Sequence, residues 1–345
     1  AKAEYNDILV RVTVCNRSNI VAPIVVAPTV WFRNNWKWGY NTYKGQINAS
    51  HEGCITINHD SVPIKKFYSR NIAAESVFCD NETNSPKLYG TPYPGNTYYK
   101  DGINDYITYG SNTVNPEKRG TKASFLIDEV IEAGQSKTFD FRLSPNELEN
   151  PFYEFDEIFN SRVAEADEFY AEIQNDVSDD DEKNVQRQAF AGLLWNKQFY
   201  HYNVGKWLKG DPNFEAPRNF NHYVRNTEWN HMHNKDIISM PDKWEYPWYA
   251  TWDLAFHCVP FAIIDAEFAK GQLLLLTKEW YMHPNGQLPA YEWNLSDVNP
   301  PVHAWSCFRV FKIDEKQNGK PDLLFLEKVF QKLLLNFTWW VNRKD

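Results

Sequence analysis

The sequence predicts an α+β chain in two parts, a β-rich N-terminal region and a helical region with the pattern of a partial helical toroid. Three observations predict it. Apolar residues alternate with polar ones at period two at Ile8, Val10, Val12 and Val14. Beyond Pro151 the apolar spacing lengthens to that of a helix, at Phe155, Phe159, Ala166, Phe169 and Ile173. The later helical stretches are joined by long loops dense in Pro, Asn and Trp, a pattern shared by toroids of paired inner and outer helices.

Taken in order, residues 8–14 read as a strand and Asn16-Arg17-Ser18-Asn19 as a turn. Residues 20–30 read as a second strand, interrupted by Pro23 and Pro28. Residues 54–57 and 139–143 give further short strands. Between them, 80–122 is a long irregular stretch of the kind that is usually functional or disordered. Its tyrosines at 89, 93, 98, 99, 106 and 109 argue for an ordered loop packed against something. The run from Ser144-Pro145 to Pro151 marks a boundary, so a β domain over 1–150 precedes a helical domain over 151–345. In the second, helices are expected at 155–173, 185–200, 252–268, 271–281, 302–313 and 321–341. Loops are expected at 176–181 and 210–242. About six helices make half a toroid, so apolar faces are expected to close on a missing remainder of the same polypeptide. Both ends of the chain read as cut.

Composition excludes several classes. The net charge is −9 and the basic residues are scattered, which argues against a phosphate-backbone partner. The longest apolar runs, near Phe261 and Leu273, are too short for a membrane span, and no secretory leader opens the chain. Five widely spaced cysteines with no CxxC pair fit free thiols in a reducing, cytoplasmic compartment. His231 and His233 form an HxH near Asp236 without a third ligand at metal spacing, so no metal and no cofactor is expected. What stands out is the aromatic content of 16%. Indole and phenol rings complement the flat C–H faces and hydroxyl edges of sugars, though a large core can also use them.

The densest segment runs from Pro241 to His257 and contains Trp244, Tyr246, Trp248, Trp252 and Asp253. Pro247 is expected to shape the start of a helix, with Trp248, Trp252 and Phe256 four apart and Asp253 in the first turns. A carboxyl walled by indoles is held from bulk water, desolvation favours its protonated form, and protonating a glycosidic oxygen demands that form. The bland alternative is an Asp that complements the helix dipole. A second constellation, from His283 to Pro301, presents Gln287, Tyr291, Glu292, Trp293 and Asp297 in a proline-bent loop. Amide and carboxylate acceptors beside aromatic platforms suit hydroxyl recognition, and Glu292 is also a possible in-chain second carboxylate. A solvated loop acid is the alternative there.

These two segments resemble glycoside hydrolase family 63, the group of processing α-glucosidase I and bacterial mannosylglycerate-type hydrolases, and within it the long microbial glucosidase-like members. The likeness extends to Thr29-Val30-Trp31-Phe32-Arg33-Asn34-Asn35-Trp36, to 80–84 with 100–106, to 115–122, and to Leu194-Trp195-Asn196-Lys197-Gln198-Phe199-Tyr200. The resemblance implies a β-sandwich leading into part of an (α/α)6 barrel. It implies inversion at an α-linked glucosyl or mannosyl residue, with Asp253 as general acid and the 286–301 loop lining the sugar subsite. It places the general base on a glutamate some two hundred residues further on, beyond Asp345, so this stretch alone is expected to be inactive. The substrate expected is an oligosaccharide or small glycoside. A non-catalytic carbohydrate-binding module remains the alternative from another class.

Overall fold

A computed structural model describes residues 1–345 except 94, 96, 218–226, 228, 243, 292–294, 296, 297 and 345. The protein is α+β, with antiparallel sheets in its first part and helices dominating its second. It divides into two compact units, Ala1–Glu168 and Phe169–Asp345.

The first unit begins with β1 (Lys2–Glu4), β2 (Asp7–Cys15), β3 (Ala22–Val26), β4 (Thr29–Trp31), β5 (Gln46–Ala49) and β6 (Cys54–Asn58). It continues with β7 (Lys66–Ser69), β8 (Glu75–Cys79), helices α1 (Ser85–Tyr89) and α2 (Gly102–Tyr109), β9 (Arg119–Gly120), β10 (Lys122–Ile131) and β11 (Ser136–Ser144). Seven strands form one sheet in the order β1-β2-β11-β7-β6-β5-β9. In the other sheet, β10 pairs with β3 and β4, and with β8. The two sheets share one core. Ile55, Phe67 and Phe141 from the larger sheet join Phe78, Phe125 and Ile127 from the smaller. Because successive strand residues point to opposite faces, Leu126, Val77 and Cys79 face the other way and pack with Ile103 of α2. The smaller sheet is thus apolar on both faces.

Several expectations change here. The single strand expected over 20–30 is two, because the chain breaks at Ala27-Pro28 and both halves pair with β10. The 80–122 stretch contains α1, α2 and β9. Its Tyr98 and Tyr106 pack against the core beneath α2 and Tyr99 is buried, but Tyr89, Tyr93 and Tyr109 stand in solvent.

Helix α3 (Phe155–Ile173) crosses from the first unit into the second. Its first turn is tied down by Asp156, which receives Arg11 and Arg70. The second unit continues with α4 (Asp180–Trp195), β12 (Lys197–Asn203), α5 (Val204–Lys209), β13 (His233–Ser239), α6 (Thr251–Ile264), α7 (Ala266–Leu276), α8 (Val302–Asn318) and α9 (Leu323–Trp339). Leu254, Cys258 and Phe261 of α6 anchor its core against Leu273 of α7, Val310 of α8 and Val329 of α9.

Helix α4 starts earlier than expected, since Asp179 caps it by accepting from the backbone N–H groups of Asp181 and Glu182, both at 3.0 Å. It also ends earlier. Residues 197–203 leave the helix for β12, which pairs antiparallel with β13 from Lys197↔Ser239 to Asn203↔His233. The expected loop over 210–242 therefore holds a strand. Finally, the helix boundary expected at Gly271 falls at Asp265, which ends α6 and caps α7 by accepting from Phe268 N–H at 2.9 Å. No helix among the described residues is long and apolar enough to cross a membrane.

Candidate active site

The approach to α6 is set by two local devices. Asp242 accepts from the N–H groups of Trp244 at 2.6 Å and Glu245 at 2.7 Å, closing a turn. Further on, Ala250 is extended (φ −135°, ψ 115°) and forms a β-bridge with Tyr291. Thr251 reinforces it. Its N–H donates to Ala290 O at 3.4 Å and its hydroxyl donates to Pro289 O. The two segments singled out in the sequence therefore meet in space, with Tyr291 paired to the residue before α6 and Asp253 in the first turn of that helix.

Asp253 is half-buried. Its neighbours differ from the expected row of rings. Since Ala250 is held extended, α6 begins at Thr251, and Trp248 lies before it, packed edge-on against Tyr246 at 5.2 Å. Pro247 precedes the helix by four residues and is not in its first turn. Trp252 and Phe256 do share a face, 6.0 Å apart, and Trp305 of α8 extends the series at 5.8 Å from Phe256. All three are partly exposed. Trp244 is 89% exposed and Tyr246 is exposed, whereas Trp248 and Tyr291 are half-buried.

Gln287 is only 5% exposed. Its side-chain amide donates to Leu295 O at 2.5 Å and its backbone N–H to Asn285 Oδ1 at 2.8 Å, so it organises the loop from inside. Glu292, Trp293 and Asp297 lie outside the described residues.

A narrow cavity opens beside the start of α6, between Thr251, Trp252, His303, Asn336, Trp339 and Trp340. Its volume is about 20 Å³, the scale of one water molecule. It can hold a hydroxyl or a water but not a sugar ring. His303, which lines it, donates through Nε2 to Leu273 O at 2.9 Å, and burial pushes its pKa down to about 4. Facing a carbonyl, Nε2 must carry the proton.

Two residues near Asp253 carry more than the sequence suggested. His257 lies four residues on, and its Nδ1 is 2.9 Å from Ser239 Oγ on β13. The i,i+4 spacing from Asp253 is visible in the sequence, but Ser239 is not. Trp305 was equally hidden, since only the packing of α6 on α8 brings it to Phe256. Among the described residues, no three His, Cys, Asp or Glu side chains gather as a metal cluster would require.

Residues 246–345 match the family described as the mannosylglycerate hydrolase MGH1-like glycoside hydrolase domain. That stretch starts within the first constellation and includes Asp253, the paired Tyr291 segment and the cavity. This part of the chain is thus similar to a glycoside hydrolase domain. The uncharacterized protein YMR196W of Saccharomyces cerevisiae is 43% identical over 376 aligned residues, covering 97% of this chain and 34% of the relative. The chain spans about a third of the length of that curated relative.

Proposed function

We propose that the protein carrying this chain is an inverting glycoside hydrolase acting on an α-linked glucosyl or mannosyl residue, with Asp253 as general acid. The observation that carries the reading is the meeting of the two segments at the first turn of α6, within the stretch similar to a glycoside hydrolase domain. Asp253 gives its proton to the glycosidic oxygen as the bond to the anomeric carbon breaks. A water attacks that carbon from the opposite face and loses its proton to a glutamate that lies beyond these 345 residues. Inverting geometry separates the two carboxyls by about 6.5–9.5 Å to admit the water. Trp244, Tyr246, Trp248, Trp252, Tyr291 and Trp293 wall the sugar, with Glu292 at its hydroxyls, while Gln287 holds the loop from inside. On this reading residues 1–150 are a β-sandwich and 151–345 the first half of an (α/α)6 barrel, closed by the rest of the polypeptide.

The test is Asp253→Asn in the full-length protein. Turnover of methyl α-D-glucopyranoside or methyl α-D-mannopyranoside is expected to fall by about 10²–10⁴-fold, the usual contribution of a general acid. The matching α-glycosyl fluoride, whose leaving group departs without a proton, should lose far less. The wild type should release the β-anomer first, read by proton NMR. Near-normal methyl glycoside turnover in the variant removes Asp253 from the mechanism. Oligosaccharide binding by the wild type without sugar release would favour the carbohydrate-binding reading.

A further inference from the structure

Asp253 shares its helix face with a second ionisable group. Residues four apart on a helix are neighbours, and helical side chains lean back over the preceding turn. Asp253 acts on the His257 imidazole through its charge, with no hydrogen bond between the two side chains. One edge of the ring is fixed by Ser239, whose Oγ lies 2.9 Å from Nδ1. Ser239 is itself buried at the end of β13. Its N–H donates to Gln272 Oε1 at 3.2 Å, and Gln272 Nε2 donates to Ile237 O at 2.9 Å. Strand β13 thus holds the imidazole of α6, and α7 holds that end of β13 in place.

We propose that His257 is a positioning residue for Asp253, an inference that rests on the general-acid reading above. The Ser239 hydroxyl donates to Nδ1, which leaves the ring proton on Nε2. With substrate bound, Nε2–H closes on one oxygen of the Asp253 carboxyl and turns the other, protonated oxygen toward the leaving group, as catalytic hydrogen bonds tighten in the substrate complex. When that proton has moved to the glycosidic oxygen, the same hydrogen bond stabilises the carboxylate left behind.

The role requires a neutral ring, because an imidazolium beside a carboxyl favours its ionised form. Burial pushes the His257 pKa below the ordinary histidine value, and Asp253 draws it part of the way back. Among the described residues, Asp253 is the one charged group that acts on it. Lys235 and Asp236 of β13, Glu267 and Lys270 of α7, and Asp314 of α8 exert no such effect.

The experiment uses the full-length protein labelled with ¹⁵N-histidine. Ring spectra at neutral pH should show His257 protonated on Nε2, and Asp253→Asn should lower its titration midpoint by removing the opposite charge. An Nδ1-protonated ring, or a midpoint unmoved by Asp253→Asn, overturns the proposal whatever the activity. In turnover of the two methyl glycosides, His257→Leu should lower kcat about tenfold, part of the roughly 10²–10⁴-fold a general acid supplies, with little change in KM. His257→Gln, which keeps a neutral N–H near the Nε2 position, should recover much of kcat and move the acid limb of the pH profile to lower pH. Ser239→Ala should give a smaller loss of kcat and guards against a His257 variant that fails to fold. Wild-type kcat and an unmoved acid limb in all three variants overturn the proposal. If the wild type turns over neither glycoside while the spectra show the coupled ring, the glycosidase reading fails, and the catalytic role of His257 falls with it.

Discussion

At the residue scale, Lys270 shows how a charge is kept inside the helical unit. Its side chain is 7% exposed, with Nζ 3.1 Å from Asp314, 2.9 Å from Asp322 and also paired to Glu267. Burial works against the ammonium, and the hydrogen bonds to Glu267, Asp322 and Asp314 outweigh it, so its pKa stands above the ordinary lysine value. Lys270→Met would leave Asp314, as buried as Lys270, without its counterion. Removing one partner of such a pair costs about 3–5 kcal/mol. The expected outcome is a drop of that size in denaturant unfolding, largely recovered in Lys270→Met with Asp314→Leu. In the sequence, Ala266-Glu267-Phe268-Ala269-Lys270 reads as an ordinary helix with a solvated lysine. Only Glu267 is local. The two aspartates arrive from α8 and from the residue that caps α9.

At the element scale, the loop that carries Gln287 is held by one glycine. Gly286 has φ +94°, and a methyl group there would meet the carbonyl of Leu335 on α9. Asn336 completes the dock by donating from Nδ2 to Gly286 O at 2.8 Å. Gly286→Ala combines a left-handed backbone with a clash against main chain, and should cost about 2–4 kcal/mol in denaturant unfolding. A loss under about 0.5 kcal/mol, the level of an ordinary surface substitution, would mean that the loop does not need this dock. The loop was legible from its proline bends, but its docking surface was not. The same division separates the elements read well from those read badly. Helix α3 and strands β2, β6 and β11 carry their own periodicity and fall close to where the sequence put them. Residues 197–203 follow a helix without any breaker, so their strand character depends on a partner 30 to 42 residues away.

At the scale of the whole molecule, two compact units with separate cores predict two calorimetric transitions. The helical unit should respond to acid. His303 is pushed from its ordinary 6.5 to about 4 by burial. Between those pH values the unfolded chain binds more protons than the folded one, so stability falls as pH falls. The contribution is present in full above about pH 6.5 and lost by about pH 4, and amounts to about 3 kcal/mol. His257, also lowered by burial, acts with the same sign. His303→Gln should flatten the pH dependence of this transition by about that amount. An unchanged slope would place the buried imidazole outside the acid response.

The sequence alone determined what depends on near neighbours: the strand and helix periods, the aromatic richness, and two segments whose residue types suit a sugar site. It singled out Asp253 and placed it in the first turns of a helix, as the fold has it. Only the tertiary structure decided that Ala250 pairs with Tyr291, that Ser239 reaches His257, and that Lys270 lies inside. The reason is that propensity is felt over a few residues, whereas burial and hydrogen-bond partners are fixed by chain segments 18 to 52 positions apart that meet only after folding.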